Sequence, residues 1–308
     1  MPRSTVSGPG AENAPGLVLR NSKRRHSRSG LADWLLVSPL ALVLGLFLIL
    51  PIITIVIVSF WNYNEYAFFP DFTFDNYAYL LTSQVTVDTY LKTIKFVVLT
   101  WLLCVTIGFT VAYFLAFHVR SLPIQITLFL ICTVPFWTSN IIRMISWIPF
   151  LGRNGIANST LISAGVIDEP LEWLLFSDFA VVLAFVHLYA LFMVVPIFNT
   201  MMRIDRTLIE AARDAGASGW QIMTNVIIPL TKPGIMIGSI FVVTLVMGDF
   251  ITVRFMSGGQ SASVGRVISN EIALLQYPAA AASSVVLLII VLVMIGIMMR
   301  FVDIRKEL

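Results

Sequence analysis

Six apolar stretches alternate with polar segments along the chain: Trp34 to Phe60, Ile94 to Phe117, Ile124 to Trp147, Phe179 to Phe198, Pro233 to Phe250 and Ala279 to Phe301. Runs of about 20 apolar residues are what a helix needs to cross a hydrocarbon core. The pattern therefore predicts an all-α membrane protein with six transmembrane helices. Residues 1 to 30 carry no such run and are rich in Ser, Gly, Arg and Lys. They read as a disordered basic arm, at most drawn to anionic lipid heads, ahead of a membrane domain over 31–308. The first span is too long for a signal-peptide core and has no small-residue cleavage site after it, so it is expected to stay as an uncleaved anchor.

Basic residues orient the bundle. With the N-terminus inside, fourteen of the 20 Lys and Arg face the cytoplasm and six, among them Lys92, Lys95, Arg143 and Arg254, lie outside or near the outer face. That bias predicts N-in and C-in, with the basic arm supplying much of it. Composition agrees: 58% of residues are hydrophobic, 12% are charged, and mean hydropathy is +0.89. The net charge of +3 is thus a topology signal and predicts no nucleic-acid partner.

One polar segment, about 200–232, separates the fourth and fifth spans on the inner side. Asp205 or Thr207 is placed to cap a short helix through Ala215, and Gly216 suits the left-handed residue that ends it. Ser218 with Gln221 forms a capping box that opens a second helix. The expected shape is two short helices joined by a glycine turn. Alanines at 211, 212, 215 and 217 would let the elbow sit into a partner's groove; the alternative is an amphipathic elbow lying on the membrane.

Glu210-Ala211-Ala212-Arg213-Asp214-Ala215-Gly216, followed by Val226-Ile227-Ile228-Pro229, resembles the coupling loop of ABC importer permeases. Val134-Pro135-Phe136-Trp137-Thr138-Ser139-Asn140-Ile141-Ile142-Arg143, Gly165-Val166-Ile167-Asp168 and Ile227 to Ile235 are similar to the first permease subunit of spermidine/putrescine importers. Related permeases for opines and amino-acid-like solutes share much of that pattern. The resemblance implies a type I ABC importer permease fold in the bacterial inner membrane, with Glu210, Ala211, Ala212, Asp214, Gly216, Ala217 and Ser218 coupling to an ATPase. It further implies a heterodimer with a second permease, two ATPase subunits below, and a periplasmic solute-binding protein above. ATP and Mg would be bound by the ATPase and no cofactor by this chain. Consistently, the sequence has no G-x-x-x-x-G-K-[ST] phosphate loop. A secondary transporter or channel is the other reading, and it would not need the Glu210 loop.

Pathway candidates come from polar residues in the spans. Asp249 lies about 24 Å beyond Pro233 at about 1.5 Å per residue, near the outer end of the fifth span. An Asp at a helix centre costs about 2.5–3.5 kcal/mol in insertion, so Asp249 should face protein or water. It would suit an ammonium ion; the plainer alternative is an interfacial Asp paired with Arg254 or another helix. Trp137 offers a cation–π face and Asn140 a hydrogen bond, while Arg143 would oppose a cation and reads as an anchor or a partner of Asp249. In the outer loops, the aromatic stretch from Trp61 to Tyr79 fits either a docking surface or a membrane-interface belt. Gly234 and Gly238 form G-x-x-x-G, which permits close helix approach. Cys104 and Cys132 read as small apolar side chains, and His26, His118 and His187 have no second ligand at metal-binding spacing.

Overall fold

The computed structural model describes residues 38–64 and 67–300; the arm expected over 1–30 lies outside the described residues. Contacts divide the chain into Met1–Pro51 and Ile52–Leu308. The described part of the first unit, residues 38–51, is an apolar helical stretch with a π-turn at Gly45–Ile49 and no buried side chain. It begins α1 (Ser38–Val58), an apolar helix long enough to span.

Beyond α1 the outer loop folds on its aromatics. Strands β1 (Asn62–Tyr63) and β2 (Phe68–Phe69) form a short antiparallel ladder. Phe60 stacks on Phe72 at 4.9 Å and meets Phe74 and Tyr77 at 5.4 and 5.3 Å. Buried Asn76, in α2 (Asp75–Thr82), donates to the Ser59 and Trp61 carbonyls and so closes the loop. Aromatic pairs of this geometry add to what their burial contributes.

Next comes α3 (Gln84–His118), which starts ten residues ahead of the apolar run that predicts it. Ser83 caps it through the Thr86 N–H, and Thr86, Thr89 and Thr93 point into the protein. Hydropathy alone misses this polar first part because its buried face is made of threonines, which bond back to carbonyls four residues earlier. The third predicted span differs more. Helix α4 (Leu122–Thr133) passes into a 3-10 turn at Val134–Trp137, and the chain then bends by 90° into Asn140–Ser163. Pro135 cannot donate to a helical ladder, and Thr138 and Ser139 take extended conformations, with ψ of 150° and 137°. Past the bend lie α5 (Asn140–Leu151) and α6 (Ile156–Ser163). Among the described residues five helices are long and apolar enough to cross a membrane, or six with this bent pair taken as one span.

Helix α7 (Asp178–Met201) is the centre of the core, packed chiefly against α3 and, in the following chain, against α9 (Gly219–Gly248). Glycines set those approaches. A Cβ on Gly108 would lie 2.7 Å from Met193 Cγ, and one on Gly238 would lie 2.7 Å from Met193 Sδ. A Cβ on Gly234 would come within 3.0 Å of the Ile197 Cα. The G-x-x-x-G expected to allow close approach thus seats α9 on the Met193–Ile197 turn of α7. Trp101 Nε1 donates to Ser239 Oγ at 2.8 Å, joining α3 to α9.

Between α7 and α9 lies α8 (Arg206–Asp214). The fifth predicted span begins at Pro233, but α9 runs from Gly219, through a π-turn at Met223–Ile227. The second short helix expected in the polar segment therefore does not end before the span. The wide turn, in which the Ile228 N–H reaches the Met223 carbonyl, comes immediately before Pro229 and absorbs the bonding disruption that would otherwise break the helix. The outer end continues as α10 (Ile251–Met256), α11 (Val264–Ala273) and α12 (Tyr277–Arg300). Asp178 ties this side together, bonded to Lys95 at 3.0 Å and to the Ser261 hydroxyl. On α11, Glu271 accepts from Ser283 of α12, and burial pushes its carboxyl above the usual range, a rise that the Ser283 bond partly offsets.

Candidate coupling loop and solute pathway

Local bonds alone build the inner elbow. The Asp205 carboxylate accepts from the Thr207 N–H at 2.9 Å, and that backbone bond, with a further one to the Thr207 hydroxyl, holds its carboxyl below the usual range. At the far end of α8 the Ala215, Gly216 and Ala217 N–H groups turn back to the Ala211, Arg213 and Ala212 carbonyls. Gly216 has φ of +85° with open space where a Cβ would stand, so backbone conformation alone requires glycine here. Ser218 and Gln221 form the reciprocal capping box, with bonds of 3.3 and 2.8 Å.

These caps use few of the elbow's side chains. No residue of α8 is buried; Glu210, Ala211 and Asp214 are exposed, as are Gly216 and Ser218. Ala212 and Ala217 are half-buried and pack against the core, while Ile222 and Ile227 are buried and anchor the elbow to the bundle. Between them is a hollow of about 430 Å³ lined by small residues, including Ala212, Ala215, Gly216 and Ala217. Elsewhere on the elbow Leu208 and Trp220 stand 49% and 75% exposed, apolar surface of the kind a partner covers.

Near the outer end, Asp249 sits at the junction of α9 and α10. Its carboxylate accepts from the Tyr189 hydroxyl at 2.6 Å, from the Thr252 N–H at 2.8 Å and from the Thr252 hydroxyl at 2.6 Å. Neither Arg254 nor Arg143 is its partner; Thr252 wins because it lies in the first turn of α10, three residues on from Asp249. Asn140 opens α5 and accepts from Arg143 Nη2, whereas Trp137 is 85% exposed at the end of the 3-10 turn. The sequence pattern singles out Asn140 and Asp249 but does not reveal the partners the structure gives them.

On α7, sequence reasoning passes over Tyr189 and weighs His187 only as a metal ligand. Trp147 Nε1 donates to His187 Nδ1 at 2.9 Å. Polar rings two residues apart inside an otherwise apolar span were the available signal. A cavity of about 260 Å³ lies between α3, the 3-10 turn, α5 and α7, with Arg143, His187 and Cys132 in its lining. A larger cleft of about 650 Å³ opens on the inner side between α7 and α9, with Asn199, Arg203 and Asp205 among apolar walls.

Residues 105–305 match the family profile described as binding-protein-dependent transport system inner membrane component. The spermidine/putrescine transport system permease protein PotB of Salmonella typhimurium is 36% identical over 228 residues, covering 73% of this chain and 77% of that protein. PotB of Escherichia coli K12 is also 36% identical, over 73% of this chain and 81% of its own. The fold matches the crystal structure of a bacterial ABC transporter that imports the acidic polysaccharide alginate, with a TM-score of 0.67 at 20% identity over 89% of this chain and 98% of that one. The chain therefore belongs to the binding-protein-dependent transport system inner membrane components, and is a multi-pass inner-membrane permease subunit of the type I ABC importer fold.

Proposed function

We propose that this permease pairs with a second, different permease chain and passes a small amine-bearing solute inward, with spermidine and putrescine the first to test. Two ATPase subunits dock below the permease pair, one of them on the Glu210 elbow, and hydrolyse ATP at sites of their own, and a periplasmic binding protein delivers the solute. The observation that carries the reading is the elbow itself. Its shape is held by its own caps, so exposed Glu210, Ala211 and Asp214 remain available to a partner. Support for an amine comes from the relatives named for spermidine and putrescine.

Asp249 is the candidate cation stop, with Trp137 and Asn140 lining the way to it. An ionised carboxylate offers about four lone-pair sites, and three donors occupy Asp249, so charge and one acceptor remain for an ammonium. The test is reconstitution of the complex in proteoliposomes with its binding protein. ATP-dependent uptake of labelled spermidine or putrescine is expected, with the ATPase copurifying on a tagged permease. An intact complex that takes up neither amine rejects the solute; a permease that retains no ATPase rejects the coupling.

A further inference from the structure

Helix α9 stops at Gly248, and the extended backbone of Asp249, with ψ of 112°, takes the chain out of the helical line. The outer end of α9 is tied to its neighbours by the chain that follows, residues 257–263 between α10 and α11. On one side this segment belongs to α9. Ser263 Oγ donates to the Asp249 carbonyl at 3.4 Å, and a Cβ on Gly265, just beyond, would lie 3.1 Å from the Gly248 carbonyl oxygen. On the other side it grips α3 and α7. The Ser261 hydroxyl donates to Asp178, the first residue of α7, and the Val264 N–H donates to Thr93 Oγ1 of α3 at 3.0 Å. Lys95 of α3 reaches the same carboxylate.

These fastenings are enclosed. Ser257, Ser261, Ser263 and Thr93 are all buried, where a polar bond once broken is poorly replaced by water. Ser257 Oγ and Arg266 Nη1 both donate to the Ser261 carbonyl, at 3.1 and 3.3 Å, and give the segment a fixed shape. Its contact with the start of α7 holds strain: Phe176 has φ of +55°, rare for a bulky side chain, and a Cβ on Gly258 would stand 2.5 Å from its ring. Such conformations persist only where the surroundings over-determine them. Every one of these partners lies in this chain, so the segment is closed without a second subunit. About 15 Å further in along α9, the Met193 seat of Gly238 and the bond from Trp101 to Ser239 join the same three helices again. A rod fastened at one level rocks about it; fastened at two, it moves with its neighbours.

We propose that residues 257–263 are a strap that makes the outer ends of α3, α7 and α9 follow the elbow as one lever, with Asp178 and Ser261 as its positioning residues. This rests on the importer reading above and adds the path by which its stroke crosses the membrane. The complex is reconstituted in proteoliposomes with its binding protein, and amine uptake and ATP hydrolysis are measured together. Ser261→Ala should keep stimulated hydrolysis within about twofold, because the elbow is intact, and lower uptake about tenfold, the loss expected for one hydrogen bond to a charged group. Asp178→Asn keeps an acceptor for Ser261 and should fall between. Uptake and hydrolysis falling in proportion would mean a folding role only and overturns the proposal, as does wild-type behaviour in both variants. A second measurement needs no solute: spin labels at Leu91→Cys on α3 and Gln260→Cys in the strap, both exposed positions, with Cys104→Ala and Cys132→Ala. Their separation should hold within about 2 Å when ATP and vanadate are added, and move or broaden beyond that in Ser261→Ala. A shift of that size with the strap intact, or none in Ser261→Ala, rejects the lever. If Ser261→Ala does not assemble, Asp178→Asn takes its place in both measurements. Failure of the importer reading shows separately, as loss of the copurifying ATPase or of amine uptake by the unaltered chain.

Discussion

The two polar regions of this apolar chain are built in opposite ways. The inner elbow is closed by bonds between residues two to five apart, Asp205 to Thr207, Ser218 to Gln221, Ala217 to Ala212. The outer knot joins Tyr189 to Asp249 across 60 positions and Trp147 to His187 across 40. In the elbow Glu210, Ala211 and Asp214 stand exposed; in the knot Asp249 already holds three donors and Arg143 is enclosed. The difference teaches where stability and transport should separate. A change in the elbow disturbs a contact the isolated chain does not contain, while a change in the knot disturbs packing and passage together.

The sharpest way to break that contrast is Gly216→Val. A β-branched residue at positive φ costs about 1–2 kcal/mol or more, enough to move the elbow, and about tenfold in uptake follows if that cost falls on docking. Uptake and solute-stimulated ATPase should collapse in Gly216→Val and fall in Glu210→Gln, with thermal unfolding of the isolated permease within a degree or two for Glu210→Gln. Normal coupling in both variants would remove the elbow from the coupling path. Asp249→Asn ranks next. It preserves shape but removes the charge from three hydrogen bonds, and bonds to charged groups contribute about 1.5–3 kcal/mol each, so both melting temperature and polyamine uptake should drop. Wild-type uptake across low and saturating polyamine concentrations would end its role as a cation stop.

Smaller effects test the same division. Tyr189→Phe deletes one donor to that carboxylate and should lower stability by about 1–2 kcal/mol, read as a lower thermal midpoint of the complex. Ser218→Ala removes a cap contributing about 1 kcal/mol, and the loss should stay local: faster amide exchange at Gln221 and no change in the global midpoint. Glu271→Gln gives the smallest and is distinguished by its sign. Burial raises the folded carboxyl above its unfolded value, so its penalty is absent in acid and grows as pH rises through the folded value. Glu271→Gln should therefore raise the melting temperature more at pH 8 than at pH 5, and a pH-independent change would assign Glu271 a packing role only.

The same division governs what the sequence reveals. Caps and a left-handed glycine depend on neighbours in the chain, so Gly216 and the Ser218–Gln221 box are readable from spacing. The spans are readable because bilayer thickness fixes their length, although threonine faces conceal the start of α3 and a proline turn divides the third span. Partners in the knot are set by how α7 packs against α9 and α5, which no local pattern encodes. Asp249 was therefore visible as an intramembrane acid, while Tyr189 as its donor was not. Arg143 had the charge of an anchor, and only the structure shows it enclosed beside Asn140.

The π-turn at Met223–Ile227 fixes an angular phase. Helix α9 continues from the elbow to Gly248 over 30 residues, about 45 Å of rod at 1.5 Å each. A π-turn carries the equivalent of one extra residue within a helix. Deleting one residue there would restore ordinary pitch, and because the widened turn already absorbs that residue, the rod would keep nearly the same face toward α7. Deleting one residue from the regular helix beyond it, between Ile228 and Gly234, would instead rotate the rod by about 100° relative to the elbow and turn Gly234 and Gly238 away from Pro196 and Met193. Length variation in this short segment is therefore a question of rotational register: the wide turn can absorb a residue, and the regular helix beyond it cannot.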